Sequence, residues 1–200
     1  MGEPRTLYLD VETTGVGSFR PPTQRMLQLA WIVDDGNEVC ENSHLISDLG
    51  ADFFVSPHVP HDITPERCRR EGVPFAAAFG ALMVDLRRSA AVVAHNLDFD
   101  WGTLLNETRL RGLEAEEAEL AGLRIDKLCT MRSTVGLCGL KPNRTKRFSG
   151  FKLPKLSELH VKLLGEEPAE RLHDALNDCR VLRRCHIALR RRLASDGLAV

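Results

Sequence analysis

TLYLDVETTG, the stretch at residues 6–15, decides the fold of this chain and points to its chemistry. Every second residue from position 7 to position 11 is apolar, which predicts a strand over residues 5–12. Asp10 and Glu12 lie two residues apart, so they project from the same face of that strand, with Cα atoms roughly 7 Å apart. Strand interiors disfavour acidic residues, and neighbouring carboxylates repel each other unless a cation lies between them.

Two interpretations of this acidic face are possible. It could belong to an exposed edge strand whose polar face happens to be acidic. The apolar face opposite Asp10 and Glu12, and the Thr13-Thr14-Gly15 turn that follows them, favour a buried strand that ends in a metal site.

The rest of the chain predicts an α/β domain. Its 43% apolar content is sufficient for one core, and we find no linker or repeat that divides residues 1–200. Apolar patterns between turn residues predict strands at 26–33, 39–46, 90–94 and near 123–128. Helical periodicity and start signals predict helices at 74–88, 99–111, 155–164 and 175–193, with a further helix start at Thr64-Pro65. Three strands followed by alternating strands and helices indicate a mixed sheet.

Composition limits the classes of function. The formal net charge is −1, so any site for a polyanion must be local or bridged by metal ions. The six cysteines form no C-x-x-C pair, which favours reduced thiols over a disulfide framework or a zinc site. We recognise no targeting segment and no apolar run long enough to span a bilayer, so we expect a soluble, intracellular protein (cytoplasmic or nuclear) with no membrane partner.

A second polar cluster, HNLDFD at residues 95–100, follows the apolar strand predicted at 90–94. Polar residues between a buried strand and the next helix are where α/β proteins place their sites. The alternative is that Asp98 or Asp100 merely caps the helix. Both interpretations can hold together, because one aspartate can cap while the other faces a site.

The third cluster is HDALND at residues 173–178. If the whole cluster were helical, His173 and Asp178 would point about 140° apart and could not serve one site. The apolar stripe downstream predicts that the helix begins near residue 174 or 175, which leaves His173 on the preceding loop. A lone histidine is otherwise more often an ordinary surface or core residue.

These clusters together resemble the motifs of the DEDDh (DnaQ-like, ribonuclease-T/proofreading-type) 3′→5′ exonuclease family. LDVETTG (9–15), AHNLDFD (94–100) and His173-x4-Asp178 are similar to its three motifs and occur in the same order. QRMLQ (24–28) and LPKLSEL (153–159) also resemble members of that family. The resemblance implies a ribonuclease-H-like α/β fold, in which helices flank a five-stranded mixed sheet.

The resemblance also implies a ligand set and a base. The four carboxylates of Asp10, Glu12, Asp100 and Asp178 would hold two Mg²⁺ ions, for which Mn²⁺ can substitute. His173 would act as the general base, since its ordinary pKa lies near 6.5. Asp98 does not inherit a ligand role, because the family's aspartate directly follows the aromatic residue.

Further residues are implied as contacts to the substrate. Besides Glu12, these are Thr13, Thr14 and Gly15 near the 3′-hydroxyl, Gln28 and Leu29 beside the terminal base, and His95 and Asn96 flanking the site. Residues 141–155 contain six basic residues and no acidic one, with two phenylalanines interleaved. Arg144, Lys146 and Arg147 in this segment would grip the phosphate backbone; a solvated loop is the equal alternative.

The sequence therefore predicts a metal-dependent 3′→5′ exonuclease. We expect it to release nucleoside 5′-monophosphates from the 3′ end of DNA, at single strands or frayed ends. An exoribonuclease that trims RNA ends and a proofreading subunit of a separate polymerase are the alternatives, and a homodimer or a polymerase partner is left open. A silent nucleic-acid-binding module is disfavoured, because all four carboxylates and the histidine are present.

Overall fold

The strand predicted around Asp10 lies in the middle of a five-stranded sheet. The computed structural model describes residues 4–15, 24–50, 55–142, 150–195 and 197. Its strands are β1 (Thr6–Thr13), β2 (Met26–Asp34), β3 (Val39–Leu45), β4 (Ala91–Ala94) and β5 (Asp126–Cys129). The sheet order is β3-β2-β1-β4-β5, in which β1 pairs antiparallel with β2 and parallel with β4. The prediction of a five-stranded mixed sheet flanked by helices is confirmed.

Helices cover both faces of this sheet. They are α1 (Pro65–Glu71), α2 (Phe75–Arg88), α3 (Leu97–Leu110), α4 (Glu114–Gly122), α5 (Thr130–Ser133), α6 (Val135–Cys138), α7 (Leu156–Leu164) and α8 (Ala175–Ser195). The helix start at Thr64 is confirmed, because its side chain accepts a hydrogen bond from the backbone nitrogen of Arg67. Among the described helices, none has both the length and the apolar content required to cross a membrane.

Three helices were not predicted, and a fourth begins earlier than predicted. Helix α4 buries Leu120 alone, so it carries no apolar stripe from which a helical period could be read. Helices α5 and α6 contain four residues each, too few for periodicity. Helix α3 begins at Leu97 instead of residue 99, and its N-cap residue, Asn96, makes no side-chain capping bond.

Strand β1 is buried on both faces, and this determines where its acidic residues point. Leu7 and Leu9 belong to the core cluster that also contains the buried face of α2. Tyr8 belongs to a second cluster with buried residues of α7 and α8. Because side chains alternate along a strand, Asp10 and Glu12 share the Tyr8 face. They therefore project towards the layer that contains α8.

A buried ion-pair network fixes α3 against the beginning of β2. Glu107 of α3 is fully buried, and its carboxylate accepts hydrogen bonds from the backbone nitrogen of Met26 (2.7 Å) and from Arg25 Nε (3.1 Å). Arg111 forms a second ion pair with Glu107. A buried carboxylate is stable only when it is paired in this way. The network holds the helix whose first turn enters the site described below.

Candidate active site

The three polar clusters meet in one cleft of about 340 Å³. Strands β1 and β4 are parallel neighbours, so their carboxyl ends lie side by side at the same end of the sheet. The first turn of α3 follows β4 directly, and α8 packs on β1 and β2. The cleft is lined by Asp10, Val11, Glu12, Thr13, Val59, Pro60, His61, His95, Asn96, Phe99, Asp100, Leu156, His173 and Asp178.

The structure distinguishes the two aspartates of the second cluster. Asp100 is 2% exposed, and its Oδ1 accepts a hydrogen bond from the backbone nitrogen of Val11 at 3.2 Å. This bond holds the Asp100 carboxylate beside the acidic end of β1. Asp98 is exposed and pairs instead with Arg132 at 2.5 Å. Only Asp100 of these two lines the cleft.

His173 lies on the loop before α8, as predicted. The helix begins at Ala175, and the backbone of His173 has a φ of 69°, in the left-handed region that non-glycine residues rarely occupy. Its backbone nitrogen donates to Asp178 Oδ1 at 3.2 Å. Glu12, His173 and Asp178 each offer a ligand atom, and these atoms lie within 4.8 Å of one another.

The carboxylates of the cleft are electrostatically strained. Burial raises the pKa of Asp10 well above its ordinary value, and repulsion from Asp100 and Asp178 raises it further. Burial, followed by repulsion from Asp178, raises the pKa of Glu12 to about 8. Burial likewise raises the pKa of Asp100 to about 8 and that of Asp178 to about 7. A divalent cation would relieve this strain by displacing the retained protons.

His173 is kept neutral by its surroundings. Partial desolvation of the ring lowers its pKa, and the positive charge of Lys155 and the nearby His61 lower it further. An imidazole with a pKa below 6.5 is largely unprotonated at pH 7. This is the state in which histidine can accept a proton.

Gln28 and Leu29 do not line the cleft, and this differs from their predicted place beside the terminal base. Leu29 is fully buried in the core. Gln28 instead anchors the beginning of α8, because its Oε1 accepts a hydrogen bond from the backbone nitrogen of Ala175 (3.1 Å). Its Nε2 donates to Ser43 Oγ (3.1 Å) and to Asp174 Oδ2 (3.3 Å). Gln28 thereby fixes the helix that carries Asp178.

His95 and Asn96 flank the cleft as predicted, but the ring of His95 is occupied. Its Nε2–H donates to the carbonyl oxygen of Pro154 at 3.0 Å, and its Nδ1 lies 3.0 Å from Thr130 Oγ1. His95 therefore connects β4 to the segment before α7. Asn96 is exposed at the cleft, where its side chain makes no capping bond to α3.

The turn after β1 is held by its own hydrogen bonds. Thr13 lines the cleft, whereas Thr14 is buried and its Oγ1 accepts from the backbone nitrogen of Arg25 at 2.9 Å. The carbonyl oxygen of Thr14 accepts from the backbone nitrogen of Ser56 at 2.8 Å. Gly15 lies close to Ser56, with room for ordinary contact. Of this turn, Thr13 is thus the residue that lines the cleft.

His61 is a cleft residue that the sequence analysis missed. It is 8% exposed, its Nε2–H donates to the carbonyl oxygen of Thr13 at 2.8 Å, and its Nδ1 accepts from the backbone nitrogen of Ile63 at 3.3 Å. The proline-rich segment around it offered no periodicity or spacing that links it to the other clusters. The predicted backbone contacts Arg144, Lys146 and Arg147 lie outside the described residues.

The fold of this chain is also found among solved structures. A product-bound structure of exonuclease I is 18% identical, with a TM-score of 0.71 over 96% of this chain and 45% of that chain. E. coli exonuclease I in complex with a dT13 oligonucleotide is 19% identical, with a TM-score of 0.73 over 96% of this chain and 42% of that chain. The zinc-bound form of the E. coli exonuclease I–single-stranded DNA complex is 17% identical, with a TM-score of 0.70 over 96% of this chain and 41% of that chain. The chain thus spans less than half the length of these structures.

The family is identified by sequence. Residues 7–184 match the model of the RNase T exonuclease family, which is described as "Exonuclease". The chain belongs to this exonuclease family, and the DEDD exonucleases within it are metal-dependent. No curated protein matches the chain at the significance required.

Proposed function

We propose that the chain is a divalent-metal-dependent 3′→5′ exonuclease that releases nucleoside 5′-monophosphates. The observation that carries this proposal is the convergence of four carboxylates and His173 in one cleft at the carboxyl ends of β1 and β4. These five residues come from the three polar clusters of the sequence. Membership of the exonuclease family supports the same reaction.

The residues fit a centre for hard divalent cations. Among the described residues, no arginine or lysine forms an ion pair with Asp10, Glu12, Asp100 or Asp178, so this part of the chain supplies no paired counter-charge for the cluster. Carboxylate oxygens suit Mg²⁺, with Mn²⁺ as a substitute, and we infer two ions because four carboxylates converge. When bound, such ions activate a water molecule and stabilise the charge that develops on the leaving oxygen.

His173 supplies the proton acceptor in this proposal. Its ring lies within reach of Glu12 and Asp178, and its lowered pKa keeps it neutral near pH 7. The attacking water transfers its proton to a ring nitrogen while its oxygen bonds to phosphorus, and the bond from phosphorus to the 3′ oxygen of the preceding nucleotide breaks. The loop position of His173 matters here, because it points the ring towards the same cleft as Asp178.

We propose DNA with a free 3′ end, single-stranded or frayed, as the substrate. The similar exonuclease I structures contain dT13 or single-stranded DNA, which supports this choice. Thr13, Asn96 and His95 line the cleft, which supports the proposal that they contact the terminal nucleotide. Trimming of RNA ends, and proofreading for a separate polymerase, are the alternatives that the assay below separates.

The test is degradation of strands labelled at the 5′ end: single-stranded DNA, duplex DNA, a duplex with a mismatched 3′ end, and RNA. We expect stepwise shortening of single-stranded DNA with Mg²⁺ or Mn²⁺, and no shortening with chelator. Asp100→Asn should abolish it, whereas the matched control Asp98→Asn should not, since Asp98 lies outside the cleft in the same helical turn. Faster shortening of RNA would make RNA, instead of DNA, the proposed substrate. Full activity in Asp100→Asn would refute the assignment of the acidic cleft as the active site.

A further inference from the structure

The loop that carries His173 is held in an unfavourable backbone conformation. A φ of 69° at a residue other than glycine persists only when surrounding contacts enforce it. Two such contacts come from the first turns of α8. The backbone nitrogen of His173 donates to Asp178, and Asn177 Nδ2 donates to the carbonyl oxygen of Arg171 at 3.0 Å.

A third contact reaches this loop from another wall of the cleft. Arg171 Nη1 lies 3.0 Å from Asp62 Oδ2, although the two residues are 109 positions apart in the chain. Asp62 follows three consecutive cleft residues that end at His61, whose ring is bonded to the end of β1. The ion pair thus joins a wall that is anchored on the sheet to the loop two residues before His173.

We propose that Asp62 and Arg171 form a positioning pair that holds His173 over the cleft. This inference rests on the proposed function, in which His173 accepts the proton of water. Neither residue lines the cleft, so neither is a catalytic residue. The ion pair instead limits the motion of the loop that carries His173 relative to the cleft wall that ends at His61.

The expected effect is modest, because both side chains are exposed, at 74% for Arg171 and 67% for Asp62. An exposed ion pair shifts an equilibrium by no more than about fivefold. We therefore expect Asp62→Arg or Arg171→Asp to lower kcat by about two- to fivefold at saturating substrate. KM should change less than kcat, since the substrate contacts are retained.

The decisive measurement is rescue by charge exchange. In the double variant Asp62→Arg/Arg171→Asp the pair can form again, so kcat should rise above that of both single variants and return to the wild-type value. The matched control is the exposed pair Arg87–Glu119, which joins α2 to α4 away from the cleft at 2.5 Å. Reversing the charge of either residue of this control pair should leave kcat unchanged. Thermal unfolding of every variant checks that the fold is retained.

The outcomes separate this inference from the proposed function. Single variants that retain the wild-type kcat, or a double variant that is not rescued, would overturn the positioning pair while the exonuclease proposal stands. A change in KM alone for Arg171→Asp would also overturn it, because Arg171 would then contact the substrate strand. A wild-type chain without 3′→5′ degradation would overturn both.

Discussion

Replacing Asp100 by asparagine tests the electrostatic strain of the acidic cleft in the metal-free protein. Asparagine has nearly the same shape and retains the oxygen that accepts the hydrogen bond from the backbone nitrogen of Val11. It carries no charge at any pH. The substitution therefore removes one carboxylate from the cluster while the local packing is preserved.

The size of the effect follows from the pKa of this group. Asp100 has a pKa of about 8 in the folded protein, against an ordinary value of 3.8. The folded state therefore retains a proton that the unfolded chain releases, so the contribution of Asp100 to stability is fully present below pH 4 and is lost as pH rises towards 8. Because a retained proton changes the free energy of unfolding by about 1.4 kcal/mol per pH unit, the wild-type protein should lose roughly 3 kcal/mol between pH 5 and pH 7.

We expect Asp100→Asn to remove this share of the pH dependence. Relative to wild type, the free energy of unfolding of the variant should rise by roughly 3 kcal/mol between pH 5 and pH 7, and the variant should be the more stable protein at pH 7. Urea unfolding in the presence of chelator, followed by tryptophan fluorescence, measures the difference. Added Mg²⁺ should stabilise wild type at pH 7 and should stabilise the variant much less.

The control is Asp98→Asn, whose exposed carboxylate pairs with Arg132 on the surface. Its free energy of unfolding should stay within about 0.5 kcal/mol of wild type at each pH. Parallel pH profiles for Asp100→Asn and wild type would refute the reasoning. They would mean that burial does not raise the pKa of Asp100 and that the folded protein retains no proton on this carboxylate at neutral pH.

Three further predictions concern activity. His173→Gln should lower kcat by roughly 10²–10⁴-fold, and a near-normal rate in this variant would assign the proton to another group. The wild-type rate should rise with pH and reach half of its plateau below pH 6.5, because the pKa of His173 is lowered and only the neutral ring accepts a proton. Asp98→Ala should leave kcat close to wild type in a degradation assay, since its carboxylate lies outside the cleft, and a large loss would contradict the assignment of the second cluster. Neutralising Arg144, Lys146 and Arg147 together should raise KM and leave kcat nearly unchanged. The slope of log binding constant against log salt concentration should flatten by about 0.7 per lost phosphate contact, and an unchanged slope would favour a solvated loop.

The local pattern of the sequence was sufficient for the elements of the site. Alternation along residues 5–12 predicted β1, and the apolar stripe of α8 placed its beginning at residue 174 or 175 and so left His173 on the loop. These features depend on neighbours in the chain, because the periods of strands and helices are set by backbone geometry. Helix α4 escaped prediction for the same reason, since it has one buried residue and no stripe.

The resemblance to known motifs supplied what periodicity could not. Alternation and helical period do not say that three polar clusters, up to about 160 residues apart in the chain, share one cleft. The order of the motifs predicted that they do, and the parallel pairing of β1 with β4 explains how the first two meet. Asp98 and Asp100 remained alternatives as caps until the packing of α3 buried one and exposed the other.

The tertiary structure alone decided which side chains support the site. Gln28, predicted to contact a base, bonds to the backbone of Ala175, 147 positions away, and His61 and the Asp62–Arg171 pair had no signal in the sequence. Such contacts join residues that are distant in the chain, and a buried polar group takes whichever partner the packed layers bring within bonding distance. The sequence by itself determined the strands, the helix that follows His173 and the acidic residues, because those depend on local geometry. The partners of Gln28, His61 and Arg171 became defined only when the sheet and α8 packed together.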